Sequence, residues 1–349
     1  MFSDLDQRLT ATLTQRAGGD IDPTPIVEQA RRRGRRLRRR RRGFVAGGVA
    51  AMCVALTAAV LTMPIDGSTD DPIVPASALM LPEAAGQLGA TARPEDVGAD
   101  PDTVHFSTDS LVDGAEYATW SAGRGVESVE FRGPTGQARF ALARTVAALD
   151  ELQQTLSSAG RPQARTDVRV GDRPGVAWFD TSGDQKLWFV RWQPGDGLWA
   201  QLDTYAGSRD EATATASRVR FDAAHRCVVP FRLESLPPGA RVRECSVTFG
   251  RSEHGNFVKG SLVVGDDGGR WLTVRAQLAP DGDKARSGDL VAGPYRARRQ
   301  GSDVLEMTVK PCVVEAFRKG WGQGYGESDG LVVLGGYRPT RDLDRPDTW

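Results

Sequence analysis

The residues that could do chemistry are few and scattered. His105, His225 and His254 are the three histidines, far apart along the chain, and each reads as a surface or turn residue rather than a base. There is no G-x-S-x-G, H-E-x-x-H or S-x-x-K pattern and no phosphate loop. Asp281 and Asp283 are too few for a calcium loop. Acid pairs are plentiful, but a general acid and base must face one reacting atom, and no spacing here singles out such a pair. No catalytic residue, cofactor or metal site is therefore designated, and the chain is expected not to be an enzyme.

Binding chemistry is better represented. Trp178, Trp188, Trp192 and Trp199 fall within twenty-two residues. Exposed, they would stack on sugar rings; buried, they are core. Gly320 to Gly326 alternates glycine with Trp321, Gln323 and Tyr325, which reads as an aromatic loop able to bind a ligand. Trp192, Trp199, Trp321 and Tyr325 are the candidate platform or loop. Cys227 and Cys245 flank a strand, a Pro-Pro-Gly turn and a second strand, so a disulfide between them is expected. Closing a loop of that size is worth about 3 kcal/mol. Cys312 is then odd, either buried or paired between molecules.

Mostly strands must position these residues. Lys186 to Trp192 puts Trp188, Val190 and Trp192 on one face and Leu187, Phe189 and Arg191 on the other. The turn Pro194-Gly195-Asp196-Gly197 leads into a returning strand, Leu198 to Tyr205. Asn256 to Val264 and Arg270 to Leu278 make a second hairpin. Helices are expected at about 142–156 and, capped by Ser208, at about 209–219. A hairpin pattern recurs at 111–131, 170–190 and 290–309. The expected fold class is α+β: a cytoplasmic helical arm, one transmembrane helix, and an external β-rich body of two related antiparallel-sheet units, each with a helix.

Charge divides the chain more sharply than hydropathy does. Forty-five basic residues balance forty-five acids, which argues against a dedicated nucleic-acid binder. Residues 1–43 nevertheless carry twelve Arg against five acids, a net +7. Residues 44–63 carry no charge, and the remainder nets −7. Twenty uncharged residues span roughly 30 Å as a helix, the thickness of a bilayer core. Ten Arg, Arg38, Arg39, Arg40, Arg41 and Arg42 among them, abut the run and sit at the membrane surface. The positive-inside rule then leaves the N-terminus cytoplasmic and the body outside, in a single-pass protein of the cell membrane. Gly43, Gly47, Ala51, Ala55 and Ala59 could form a homodimer seam along the span.

Phe2, Leu5, Leu9 and Leu13 form an apolar stripe on a short helix in the arm, a surface for a protein partner. Residues 64–103, with six Pro and eight acids, read as a stalk, and the body divides into units 104–225 and 226–349. Basic arm, span, stalk and β-rich body, with LWFVRWQPGDGLWAQLDTYAGSRDEATATASRVRF followed by CVVPFRLESLPPGARVREC, resemble the membrane-anchored anti-sigma-like regulators of high-GC Gram-positive bacteria. The resemblance implies an extracytoplasmic sensing domain and a cytoplasmic partner such as a sigma factor. Residues 1–43 hold neither His nor Cys, so the zinc form of such regulators is not implied. The alternative expectation is a cell-envelope protein that binds glycan or protein and uses its arm only as an anchor.

Overall fold

The computed structural model describes residues 79–154, 164–182, 185–252, 255–278, 288–317, 324–342 and 345–349. The basic arm with Phe2, Leu5, Leu9, Leu13 and Arg38 to Arg42, the apolar run 44–63, and the stalk up to residue 78 lie outside the described residues.

The body opens with β1 (Glu83–Leu88) and β2 (Thr103–Val104). Three strands follow: β3 (Tyr117–Gly123), β4 (Val126–Gly133) and β5 (Gly136–Ala143). Helix α1 (Val146–Gln154) leads to β6 (Thr166–Val170), β7 (Arg173–Ser182), β8 (Gln185–Trp192) and β9 (Trp199–Tyr205). Helix α2 (Arg209–Ala216) and β10 (Ala223–Arg226) complete this half. The second half runs through β11 (Phe231–Leu233), β12 (Arg241–Ser252), β13 (Gly255–Gly265) and β14 (Trp271–Leu278). It continues with β15 (Leu290–Ala292), β16 (Tyr295–Gln300), β17 (Val304–Val309), β18 (Cys312–Phe317), α3 (Glu327–Gly335) and β19 (Tyr337–Pro339).

Fourteen of these strands form one antiparallel sheet, in the order β15-β16-β17-β18-β14-β13-β12-β3-β4-β5-β9-β8-β7-β6. This overturns the α+β expectation of separate sheet units. The described residues of the body are mostly β, with three short helices among them, and β3 pairs along its whole length with β12, from Glu244 opposite Gly123 to Gly250 opposite Tyr117. Among the described residues no helix is long and apolar enough to cross a membrane. Outward from the β3–β12 seam, each side threads seven strands in the same order: first, second, third, seventh, sixth, fifth, fourth. The flanking short strands also match, since β2 pairs with β10 and β11 with β19.

Residues 79–103, expected in the stalk, belong to this body. Leu81, Ala84, Ala90 and Val97 are buried, and β1 pairs with β10. Burying those side chains takes apolar surface from water, which a Pro-rich composition alone does not reveal. The first predicted helix starts late, because Leu142 and Ala143 end β5. There Ala138, Phe140 and Leu142 face the main core while Ala141 and Ala143 pack with Leu149 of α1. Both faces of β5 are covered, so its sequence loses the polar alternation that marks a strand. Helix α2 is capped as expected, Ser208 Oγ accepting from Glu211 N at 3.2 Å.

The two halves fill their cores differently. The first is aromatic: Phe106 lies 5.8 Å from Trp120 and 4.7 Å from Phe140, which in turn lies 5.9 Å from Trp192. The second is aliphatic, built on Val247, Leu272, Val274, Leu305, Met307 and Val314. The expected disulfide is present, joining Cys227 just beyond the first half to Cys245 on β12, with Cα atoms 6.1 Å apart. Cys312 is buried and free.

Candidate functional site

The seam between the halves ends in a cleft of about 910 Å³. One wall is the loop Gly98 to Pro101, from the first half. Arg124, Arg241, Arg243, Arg270 and Trp271 are among the residues that line the rest.

The loop wall is held from below by a buried carboxylate. Glu127, on the core face of β4, accepts from Gly98 N (3.0 Å) and His105 N (2.6 Å), and its Oε1 lies 2.6 Å from His105 Nδ1. Both side chains are almost fully buried. Burial alone would disfavour the imidazolium, but the hydrogen bond and charge of Glu127 outweigh it and raise the His105 pKa. The loop is also sewn to its neighbours: Gly125 N donates to Gly98 O (2.8 Å) and Cys227 N to Asp102 O (2.8 Å). Gly98 has φ 68°, and a Cβ there would meet the Gly125 backbone at 2.3 Å, so only glycine permits this approach.

The opposite wall grows from two turns and the start of β12. In the β3–β4 hairpin the turn residues Arg124 and Gly125 have φ 54° and 84°. Arg124 is the one non-glycine among the described residues with positive φ, and holding it there costs about 1 kcal/mol. Its guanidinium is exposed and 3.9 Å from Glu244, whose carboxyl burial pushes up and Arg124 pulls down, with burial prevailing. In the β13–β14 turn Asp266 accepts from Arg270 N (3.0 Å) and Nε (2.7 Å), and Arg270 lies 4.8 Å above the Tyr325 ring. Asp267, at the tip of that turn, accepts from Arg241 Nη2 (2.9 Å) and Arg243 Nη2 (2.5 Å) on the same oxygen. The Arg243 hydrogen bond and the two guanidinium charges lower its pKa.

Every carboxylate at the cleft is engaged. Asp100 is turned to its own loop, accepting from Asp102 N (2.9 Å) and Thr103 Oγ1 (2.8 Å). Arginines hold Asp266 and Asp267, and Glu244 lies against Arg124. Such an arrangement offers charge-assisted recognition.

Tyr325 is the one sequence-designated aromatic beside this cleft. It is buried, its hydroxyl has no partner among the described residues, and burial raises its pKa. Trp192 is core, Trp199 is half-buried in the cluster under α1, and Trp321 lies outside the described residues. Trp178 and Trp188 are buried too, so Trp178, Trp188 and Trp192 present no exposed face to a sugar. His225, expected at the surface or in a turn, is buried on β10, with Nδ1 3.2 Å from Leu81 O; burial lowers its pKa. His105 is likewise internal, and His254 lies outside the described residues. The four cleft arginines were not designated from sequence. Arg outnumbers Lys forty to five in this chain, so an individual Arg carries little signal.

No protein-family model matches the chain, and no curated protein is similar to it. Among solved structures it is similar to MucB in complex with MucA(peri), at 17% identity over 65% of this chain and 94% of that one, with a TM-score of 0.20. It is also similar to a chain of the Pseudomonas aeruginosa MucA/MucB complex, at 15% identity over 66% and 95%, with a TM-score of 0.21. Both TM-scores are low.

Proposed function

We propose that the described body is the extracytoplasmic recognition part of a single-pass membrane regulator, anti-sigma-like in organisation, that binds rather than catalyses. The observation that carries this reading is the seam cleft, a recognition site built jointly by two halves, with its acids engaged rather than free for proton transfer. The Cys227–Cys245 bridge supports an oxidising compartment. The charge split and the uncharged run 44–63 support an anchor with the basic arm inside, where Phe2, Leu5, Leu9 and Leu13 would meet a regulatory protein such as a sigma factor.

Two measurements test it. Reporter fusions at Arg42 and Asp71 should report opposite sides of the membrane; the same side for both overturns the topology. Replacing Leu5→Asp with Leu9→Asp should abolish co-purification of a cytoplasmic partner with the full chain. Unchanged recovery reduces the arm to an anchor.

A further inference from the structure

Two guanidinium groups from the cleft lining converge on one oxygen beside it. Arg241 and Arg243 both reach Asp267 Oδ1, at 2.9 and 2.5 Å. Asp267 itself is 82% exposed, at the tip of a turn that closes through Gly269 with φ 83°. Its neighbour Asp266 is different: 12% exposed, bonded to Arg270 through backbone and side chain, and so built into the turn. Asp266 shapes the turn, whereas Asp267 occupies the point where two arginines meet.

We propose that this point is a binding site for the phosphate group of an organic ligand, with the Asp267 carboxylate as its resident stand-in. A water-exposed ion pair is weak, because solvent screens it and two long side chains must be held still. A phosphate dianion brings more charge and more acceptor oxygens to the same two forks, and guanidinium geometry suits it in bidentate fashion. Arg124 faces the cleft from the other half in a conformation its side chain disfavours, adding a third cation. Trp271 gives the organic portion an apolar wall. Binding swings Asp267 out toward solvent, where it already largely lies. The ligand bridges the two halves of the sheet, so its occupancy is a signal both halves register. This rests on the cleft being the recognition site; its failure leaves the topology and partner tests above untouched.

The test uses the full chain in neutral detergent and titration calorimetry. Pyrophosphate is the soluble probe, and dihexanoyl phosphatidate is the lipid-headgroup probe. Pyrophosphate should bind, and Arg241→Ala with Arg243→Ala should weaken it about tenfold or more. Asp267→Asn should tighten binding several-fold, a gain that misfolding cannot produce. Phosphatidate bound more tightly than pyrophosphate, with the same response to the variants, identifies a lipid headgroup as the source. Weaker or equal binding identifies a soluble phosphate ester. No binding of either probe, indifference to the arginine variants, or Asp267→Asn that leaves affinity unchanged or lower overturns the proposal.

Discussion

Corresponding strand pairs in the two halves of the sheet set an arginine opposite an acid, in different surroundings. On β5 and β9, Arg139 faces Asp203 directly across the ladder. On β14 and β18, Arg275 faces Glu315. Arg139 and Asp203 are both buried, hydrogen-bonded to each other, and continued through Gln201 (2.7 Å to Asp203 Oδ1) to Arg191 and on to Asp150 of α1 (2.7 Å). Arg275 is exposed and stacks 4.7 Å from the Phe317 ring. Strand order is therefore insufficient to set the role of a charge. Arg191 and Gln201 bury with the first pair, and α1 reaches into their network through Asp150. Once buried, each charge needs an opposite partner, which Arg139 finds in Asp203 although its Nε has no hydrogen-bond partner among the described residues.

That contrast predicts a graded set of outcomes. The largest effect belongs to Asp203→Ala, which leaves Arg139 buried and unpaired and should cost about 3–5 kcal/mol in denaturant unfolding. Replacing both partners, Arg139→Met with Asp203→Leu, should recover most of that loss, because desolvation of both charges disappears. A double variant as unstable as the single one would mean that the wider network, not the pair, holds this face.

The seam comes next. Cys227→Ser with Cys245→Ser should cost about 3 kcal/mol under oxidising conditions, and reductant should produce a similar loss in the parent chain. A negligible loss would show that the halves are joined without help from the bridge.

The two buried histidines differ in sign. Glu127→Gln should cost about 1–3 kcal/mol by leaving buried donors poorly satisfied. The raised His105 contributes stability that is full below its unfolded value of 6.5 and is lost as pH rises through the folded value. The lowered His225 contributes stability that is present above 6.5 and is lost as pH falls through its folded value. Stability measured against pH should therefore lose opposite slopes in His105→Gln and His225→Gln. The smallest effect is expected at the counterpart position, where Glu315 is half-buried opposite an exposed Arg275 and Glu315→Ala should stay within about 1 kcal/mol. A larger loss there would erase the distinction between the halves.

Much of the strand content is legible along the chain. Trp188, Val190 and Trp192 alternate as read, and the Pro194-to-Gly197 turn falls between β8 and β9. The β-hairpin patterns at 170–190 and 290–309 coincide with β6-β7-β8 and β15-β16-β17, which hold the same place in each seven-strand order. The third, 111–131, covers β3 and β4, a different place, because any hairpin entered through glycine produces a similar pattern. Phe189 and Arg191, read as the opposite face of their strand, are buried as well. Alternation shows which residues share a face but not whether a helix will cover it.

Sequence alone determined the separation of charge into a +7 arm, an uncharged run and a −7 remainder, together with the turn positions and the spacing that lets Cys227 reach Cys245. These are local or additive properties, carried by residues close in sequence. The tertiary structure decided the rest. It joined β3 to β12 across more than a hundred residues, and it drew Arg124, Arg241, Arg243 and Arg270 to one cleft. Strand registers far apart in the chain set that convergence. No residue's type reveals which strand it will lie beside, and among forty arginines four that converge look like any others.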